Sequence, residues 1–381
     1  MHDAIGTCGL INGLQRGLWT EWRTRRLTAT AECSKRALPS GSATQTATSG
    51  DANSVDSGQL TVKEISFETF FTIWQQTRNT WPWACPFTLP FWLETVHRHL
   101  GAPGVPHILA VYGPNGPVGV MPLALDGDTA RFLGDPDVCD YQDLIGAPDA
   151  APLILAVVLA HLVKQGIRRL DWQTLRPDAL VLAALRQHAP RLTALTIEPD
   201  DVTYEIDLAE SWEGYLQQLS GKQRHEVRRK VRRLENEGRF DYRLVDGKRP
   251  LDGTVDAFVG LFRRNRQDKA AFMSGAMVDY FRALIQRLAE NGLLRLYMLD
   301  VHDHPAASVL CFDHAGVRYL YNSGYDADYD HLSVGILSKV FSIRSAIEMG
   351  CHRFDFLKGA ETYKKRTGGG ELPLYRCRAQ L

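Results

Sequence analysis

Residues 317–357 read "VRYLYNSGYDADYDHLSVGILSKVFSIRSAIEMGCHRFDFL". "VRYLYNSGY" (317–325) is rich in the aromatic and β-branched residues that suit a pleated, half-buried surface, so it reads as a strand. "SVGILSKVFSIRSAIEMG" (333–350) carries apolar residues at helical spacing and ends on Gly350, a residue type that closes helices. "RFDFL" (353–357) alternates again, with Phe354 and Phe356 on one face and Asp355 on the other. A strand, a long helix and a strand therefore follow one another without a long loop.

Working outward, the pattern continues on both sides. Upstream lie the strands "FDYRLV" (240–245), "LLRLYMLDV" (293–301) and "AASVLCFDH" (306–314). "VHDHPA" reads as the turn between the last two. Two helices, "VDAFVGLFRRNRQ" (255–267) and "AMVDYFRALIQRLAENG" (276–292), precede them. Downstream, a short basic segment "ETYKKRTGGG" (361–370) leads into a last strand, "LPLYRCRAQL". An earlier stretch has the same order: strand 60–65, helices 67–79 and 89–100, then strands 107–112 and 118–125 about a Gly113–Gly116 turn. A helix over 152–164, stopped by Gly166, and a strand over 167–175 follow. The two passes share little residue identity, so the repeat is one of architecture. The fold class is α/β, in α+β layers, with helices flanking mixed, mostly antiparallel sheets. The reading divides the chain into a disordered tail (1–59), a first domain (60–208) and a second (209–381) that a basic helix (220–238) precedes.

The tail segment 28–59 is rich in Ser, Thr, Ala and Gly and cannot bury enough surface to offset its ordering entropy. Ahead of it, Leu10, Ile11, Leu14, Leu18 and Trp19 fit a short amphipathic helix. The chain has 44 Lys+Arg and 44 Asp+Glu, so any attraction to polyanions is local. Its longest apolar run, "PLILAVVLAHLV" (152–163), is too short to span a bilayer, and no secretory signal pattern opens the sequence. A cytoplasmic protein is expected. The seven cysteines are widely spaced with no C-x-x-C, which fits reduced, incidental thiols, and no ligand-spaced His/Cys set predicts a metal.

"SGKQRHEVRRKVRRLENEG" (220–238) concentrates positive charge. Ser220 and Gln223 make a capping-box pattern. Val227, Val231 and Leu234 form one narrow apolar seam, while Arg224, Arg228 and Arg232 share a second face and Arg229 and Arg233 a third. Arginine suits bidentate phosphate contacts. The seam lacks the Trp or Phe of a membrane-surface helix, and no helix-turn-helix or zinc pattern marks a DNA reader. Lys222, Arg224, Arg228 and Arg229 are the candidate phosphate ligands, against the alternative of a solvated face paired to Glu226, Glu235 and Glu237.

Three stretches carry a resemblance to the GNAT acyltransferase superfamily: the basic helix, residues 321–350 and "FDFLKGAETYKKR" (354–366). With "LGDPDVCDYQDLIG" (133–146) they resemble its CelD-like branch and the Fem-type transferases, which hold two GNAT-like domains. The resemblance implies tandem GNAT-like domains in this chain, with an acyl arm entering between two splayed strands lined by Tyr321, Asn322 and Tyr325. It implies a donor cradle of backbone N–H groups at Ser333, Val334, Gly335 and Ile336, with Ser333 as N-cap. The segment departs from the R/Q-x-x-G-x-G/A pattern of the superfamily and keeps one glycine, Gly335. Fem-type relatives lack that loop too and take acyl groups from tRNA.

Acyl transfer needs a base, an oxyanion donor and positioning. Asp355 or Glu361 is the candidate base, Lys358 the oxyanion or phosphate ligand, and Tyr363 the proton donor to the leaving group. The bland alternatives are an Asp355 ion pair with Lys358 or Arg353, and a solvated "KKR" turn. Cys351 stands alone and reads as a spectator. The expected function is acyl or acetyl transfer, from acyl-CoA or aminoacyl-tRNA, to an amine or hydroxyl of a phosphate-bearing small molecule such as a cell-envelope or polysaccharide precursor. The rival is a non-catalytic scaffold of the same fold that binds nucleic acid or another polyanion.

Overall fold

A computed structural model describes residues 60–101, 104–188, 192–248, 251–265 and 272–381. The tail, with its expected disorder and short helix, lies outside the described residues. The first half runs β1 (Thr61–Glu64), α1 (Phe67–Thr77), α2 (Pro90–Leu100), β2 (Val105–Gly113), β3 (Gly116–Asp126), β4 (Thr129–Phe132), β5 (Ile145–Gly146), α3 (Ala151–Lys164), β6 (Arg169–Leu175), α4 (Leu180–His188) and β7 (Thr193–Asp207). Two helices, α5 (Trp212–Gln218) and α6 (Gly221–Glu237), open the second half. It continues with β8 (Phe240–Val245), α7 (Asp252–Asn265), α8 (Gly275–Glu290), β9 (Leu294–Val301), β10 (His304–His314), β11 (Val317–Tyr325), α9 (Val334–Glu348), β12 (Arg353–Lys358), α10 (Thr362–Arg366) and β13 (Gly370–Gln380). The strands and helices read from periodicity are present. Sequence reasoning did not find α4, β7 or α5; β7 hides because "EPDD" (198–201) interrupts its alternation.

The strands form one sheet in the order β1-β2-β3-β4-β6-β13-β7-β12-β11-β10-β9-β8, with β5 alongside β3. Its centre is a reciprocal exchange. The last strand of the first half, β7, pairs with β12 of the second, and the last strand of the second, β13, pairs with β6 of the first. The exchanged strands pair with each other, antiparallel, from Glu205↔Gly370 to Thr193↔Gln380.

Each half has one parallel pair, and both pairs are short. β4 meets β6 only at Thr129↔Arg169 and Ala130↔Leu170. β11 meets β12 from Val317↔Arg353 to Tyr319↔Asp355, after which the two strands share no ladder. Both inner strands then carry an irregularity at a left-handed, non-glycine residue: Thr174 (φ 54°) in β6 and Leu357 (φ 62°) in β12. Such residues cost free energy unless the surroundings hold them. β11 has its own bulge, where Leu310 pairs with Asn322 and Cys311 with Leu320, leaving Tyr321 as the extra residue.

Helices cover both faces. Helices α1, α2, α7 and α8 pack on one face over a shared core that joins Phe87 and Trp92 of the first half to Tyr280, Phe281 and Phe312 of the second. On the other face α3 and α4 cover the first half, and α5, α6 and α9 the second. Helix α7 lies so close to β11 that a Cβ on Gly324 would stand 2.4 Å from the Phe262 backbone nitrogen, so only glycine fits there. Arg318, fully buried in β11, is satisfied by Asp313 through two hydrogen bonds (2.6 and 2.8 Å), by the Tyr297 hydroxyl (2.7 Å) and by the Ser342 carbonyl of α9 (3.2 Å).

Because β13 completes the first half as well as the second, removal of residues 370–381 is expected to destabilise both. Limited proteolysis and amide exchange of the shortened chain should show lost protection in α3 and β6 together with α9 and β12. Protection retained in β2, β3 and α3 alone would show that the first half stands without the exchange.

Candidate functional site

The gap where β11 leaves β12 is bounded by β11 from Tyr321 onward, by Phe356–Lys358 and by the start of α9. Tyr321 is committed: its hydroxyl contacts the Tyr280 hydroxyl (2.9 Å) and donates to the Val138 carbonyl (2.9 Å), while its ring packs on Trp92 and Phe312. Burial pushes its phenol well above the usual range. Asn322 accepts from the neighbouring Ser323 N–H (2.7 Å).

The start of α9 differs from expectation. Ser333 is left-handed (φ 59°) and makes no side-chain cap, because its Oγ instead accepts from the Lys230 ammonium of α6 (3.1 Å). Ile336 does not present a free N–H, since it donates to the Ser333 carbonyl (3.0 Å), leaving Val334 and Gly335 of the three. Gly335 is required by packing: a Cβ there would meet the Tyr325 ring at 2.7 Å. Lys230 supplies beside this helix N-terminus the positive charge that the loop sequence lacks.

Asp355 lies at the junction of the halves and is 1% exposed. It pairs with neither Lys358 nor Arg353. Its carboxylate accepts from the Tyr141 hydroxyl (2.8 Å), the Leu357 N–H (2.7 Å), the Thr203 hydroxyl (3.3 Å) and Arg176 (3.4 Å). Arg176 also bonds Glu205 and Asp178, and Arg353 bridges Glu205 and Asp207. Burial, reinforced by the Glu205 charge and opposed by Arg176, pushes the Asp355 carboxyl up to about 7. Burial also raises the Tyr141 hydroxyl far above its ordinary value. An acceptor could reach Asp355 only by displacing these donors.

The Lys358 ammonium donates to the Pro136 carbonyl (2.6 Å), and its backbone N–H to Asp140 (3.2 Å). Glu361 is exposed and pairs with Lys364 (2.9 Å). The "KKR" run is not uniformly solvated. Lys364 is 1% exposed, and its ammonium takes the carbonyls of Leu357, Lys358 and Gly359 (2.7–3.0 Å), which fixes the bend after β12. Tyr363 packs against Phe356 and under the Lys339 ammonium (5.0 Å), with its phenol raised by burial.

The basic helix α6 docks as its seam predicts. The capping box of Ser220 and Gln223 is made in both directions, and Val227 and Leu234 are buried. Beside it, α5, α6 and α9 enclose a cleft of about 520 Å³. Leu216, Val227, Val231 and Phe341 give the cleft apolar walls. Arg224, Arg228 and Arg232, one face of α6, line it together with Arg344 of α9, which also lies over the Trp212 ring (5.7 Å). The only carboxylate among its lining residues is Glu213, paired with Arg228 at 3.2 Å. Arg229 is turned to Glu226 (2.8 and 3.1 Å), and Lys222 does not line the cleft. Sequence reasoning missed Trp212 and Arg344 here, and Tyr141, Arg176, Thr203 and Glu205 at the junction. Phe341 and Arg344 are three residues apart and so share one face of α9, a local signal for the cleft wall. The junction residues come from elements far apart in sequence.

Five described cysteines are unpaired, and burial raises Cys351 to about 11 and Cys85, Cys311 and Cys377 to about 12. Among the described residues no group of three His, Cys, Asp or Glu side chains could hold a metal ion, and no helix is long and apolar enough to cross a membrane.

Residues 221–365 match the model of the acetyltransferase (GNAT) domain family. No curated protein matches the chain. Among solved structures it is similar to FemX (TM-score 0.57, 11% identity, 83% of this chain and 96% of that one). It is also similar to a conserved protein of unknown function from Bacteroides thetaiotaomicron (0.57, 13%, 84% and 99%). A third similar structure is L-PGS from Bacillus licheniformis (0.50, 11%, 75% and 90%). At such identity these likenesses concern the fold.

The raised carboxyl of Asp355 has a signed consequence. Its folded value lies above that of the unfolded chain, so its contribution to stability is full below about pH 4 and is lost as pH rises through about 7. Asp355→Asn, which resembles the protonated form, lacks that dependence. The Tm of the natural protein minus that of the variant, measured by circular dichroism at pH 5, 6.5 and 8, should fall as pH rises, because only the natural protein loses stability over that range. A constant or rising value would count against this assignment.

Proposed function

We propose that this chain, whose residues 221–365 are a GNAT acetyltransferase domain, transfers an acyl group from an activated donor to an amine or hydroxyl of a phosphate-bearing small molecule, in the class of cell-envelope or polysaccharide precursors. The donor is acyl-CoA or, in the manner the Fem-type resemblance implies, an aminoacyl-tRNA. The observation that carries the acceptor class is the cleft: four arginines from α6 and α9 converge over apolar walls, Arg228 paired with Glu213 and Arg344 with Glu348 (2.9 Å). Guanidinium groups bind phosphate oxygens bidentately, and partial enclosure strengthens each contact. The chemistry belongs to the β11–β12 gap. There the acceptor attacks the donor carbonyl directly, since burial keeps the Cys351 and Cys311 thiols protonated and unsuited to an acyl-enzyme. In this reading the Val334 and Gly335 N–H groups hold a donor phosphate, supported by the Lys230 ammonium that contacts Ser333 beside them (3.1 Å).

Arg228→Ala with Arg232→Ala tests the cleft. Titration calorimetry with pyrophosphate and a nucleotide-sugar panel should show affinity lower by at least about tenfold, the cost of losing charged hydrogen bonds, and a shallower salt dependence. Unchanged affinity and salt dependence would remove the cleft from the reading. Turnover with an acyl-CoA panel and with aminoacyl-tRNA distinguishes the two donors.

A further inference from the structure

We infer that Asp140, on the loop that the first half lends to the β11–β12 gap, is the general base that takes the acceptor's proton during acyl transfer. This rests on the acyltransferase reading above.

The loop between β4 and β5 crosses into the second half and ties together the strands on both sides of the gap. Its Val138 carbonyl accepts from Tyr321 of β11 (2.9 Å). Its Pro136 carbonyl accepts from the Lys358 ammonium of β12 (2.6 Å), and its Asp140 carboxylate from the Lys358 N–H (3.2 Å). Tyr141, the next residue, donates to Asp355. Val138, Cys139 and Tyr141 pack in the core shared with Trp92, Tyr280 and Leu357. Phe354, Phe356 and Leu320 point to the opposite face, into the core under α9. The loop and the α9 start therefore face the gap from its two sides.

The carboxylates near this region differ in their surroundings. Asp355 is enclosed and saturated by four donors. Glu361 is exposed and paired with Lys364. Asp140 is partly buried at the gap, with one oxygen on the Lys358 N–H and the other without a hydrogen bond from any described residue. Burial lifts its carboxyl to about 6, Lys358 and Lys364 restrain the rise, and Asp201 of β7 adds to it. The other titratable groups facing it, the Cys139 thiol and the Tyr141, Tyr280 and Tyr321 phenols, are held neutral at that pH by burial. Asp140 is thus ionised at pH 7 yet more basic than an ordinary carboxylate, the balance a general base requires.

In the step, the acceptor nitrogen or oxygen attacks the donor carbonyl carbon, and its proton passes to Asp140 as the new C–N or C–O bond forms. Collapse breaks the carbonyl carbon's bond to the donor sulfur or ester oxygen. The leaving thiolate or alkoxide then takes that proton back from Asp140, which regenerates the carboxylate.

The test is Asp140→Asn, an isosteric change, assayed with acetyl-CoA and aminoacyl-tRNA over the acceptor panel that supports turnover by the natural protein. The expected result is kcat lower by about 10²–10⁴-fold, donor affinity within about twofold, and loss of the limb that rises through pH 6 in the natural enzyme. Undiminished kcat, or a fall confined to KM with the pH limb retained, overturns the inference and leaves the acyltransferase reading standing. Turnover by the natural protein with neither donor overturns both. If the Asn variant does not fold, Asp140→Glu decides: kcat at least about tenfold lower with the acid limb kept supports the base, and unchanged kcat overturns it.

Discussion

Pairing of β7 with β13 is the constraint on which the rest of the molecule depends. Each strand ends one half of the chain and is inserted next to the other half, so neither half has its full complement of ladder partners without its counterpart. An unpaired central strand would leave a row of backbone N–H and C=O groups without partners, and burial makes that costly. The exchange therefore converts two similar layered units into one continuous sheet. It also brings Thr203 and Glu205 of β7 beside Asp355 of β12.

The charges buried at that seam follow from the exchange. Arg176 leaves the end of β6 and is shared among Asp178, Glu205 and Asp355, and Arg353 completes the set through Glu205 and Asp207. Such a group adds little net stability over apolar packing, but it penalises any arrangement that separates its members. The β4–β5 loop adds a second set of ties, from Tyr141, Val138 and Pro136 to Asp355, Tyr321 and Lys358. The gap between β11 and β12 is thus bounded by residues of both halves, and its geometry is held by the seam.

Much of this architecture was legible. Alternation in 317–325 and 353–357, helical spacing in 333–350 and the capping box at Ser220 each correspond to an observed element, because local propensity and burial pattern agree there. The seam Val227–Val231–Leu234 placed α6 against α9 and turned Arg224, Arg228 and Arg232 into the cleft. The site was legible only in part. Ser333 has the chemistry of an N-cap, yet a left-handed backbone turns its hydroxyl to Lys230. Gly335 has the look of a ligand cradle, yet its missing side chain makes room for Tyr325. Lys364 sits in a run of charges that reads as solvated, yet three carbonyls of the bend after β12 enclose its ammonium. Residue type and spacing are blind to these partners because each comes from a different element.

The sequence by itself determined the order of elements, their doubling, the layered α/β class and the cationic faces of α6, since all of these are local periodicities of burial and charge. Tertiary structure decided that the two halves exchange their last strands, that Asp355 is enclosed at the seam, and that Asp140 reaches the gap of the other half. These are contacts between residues up to 218 positions apart in the chain, as in the Lys358–Asp140 hydrogen bond. No short-range pattern records them, because the free energy that selects them comes from ladder completion and burial across the whole sheet.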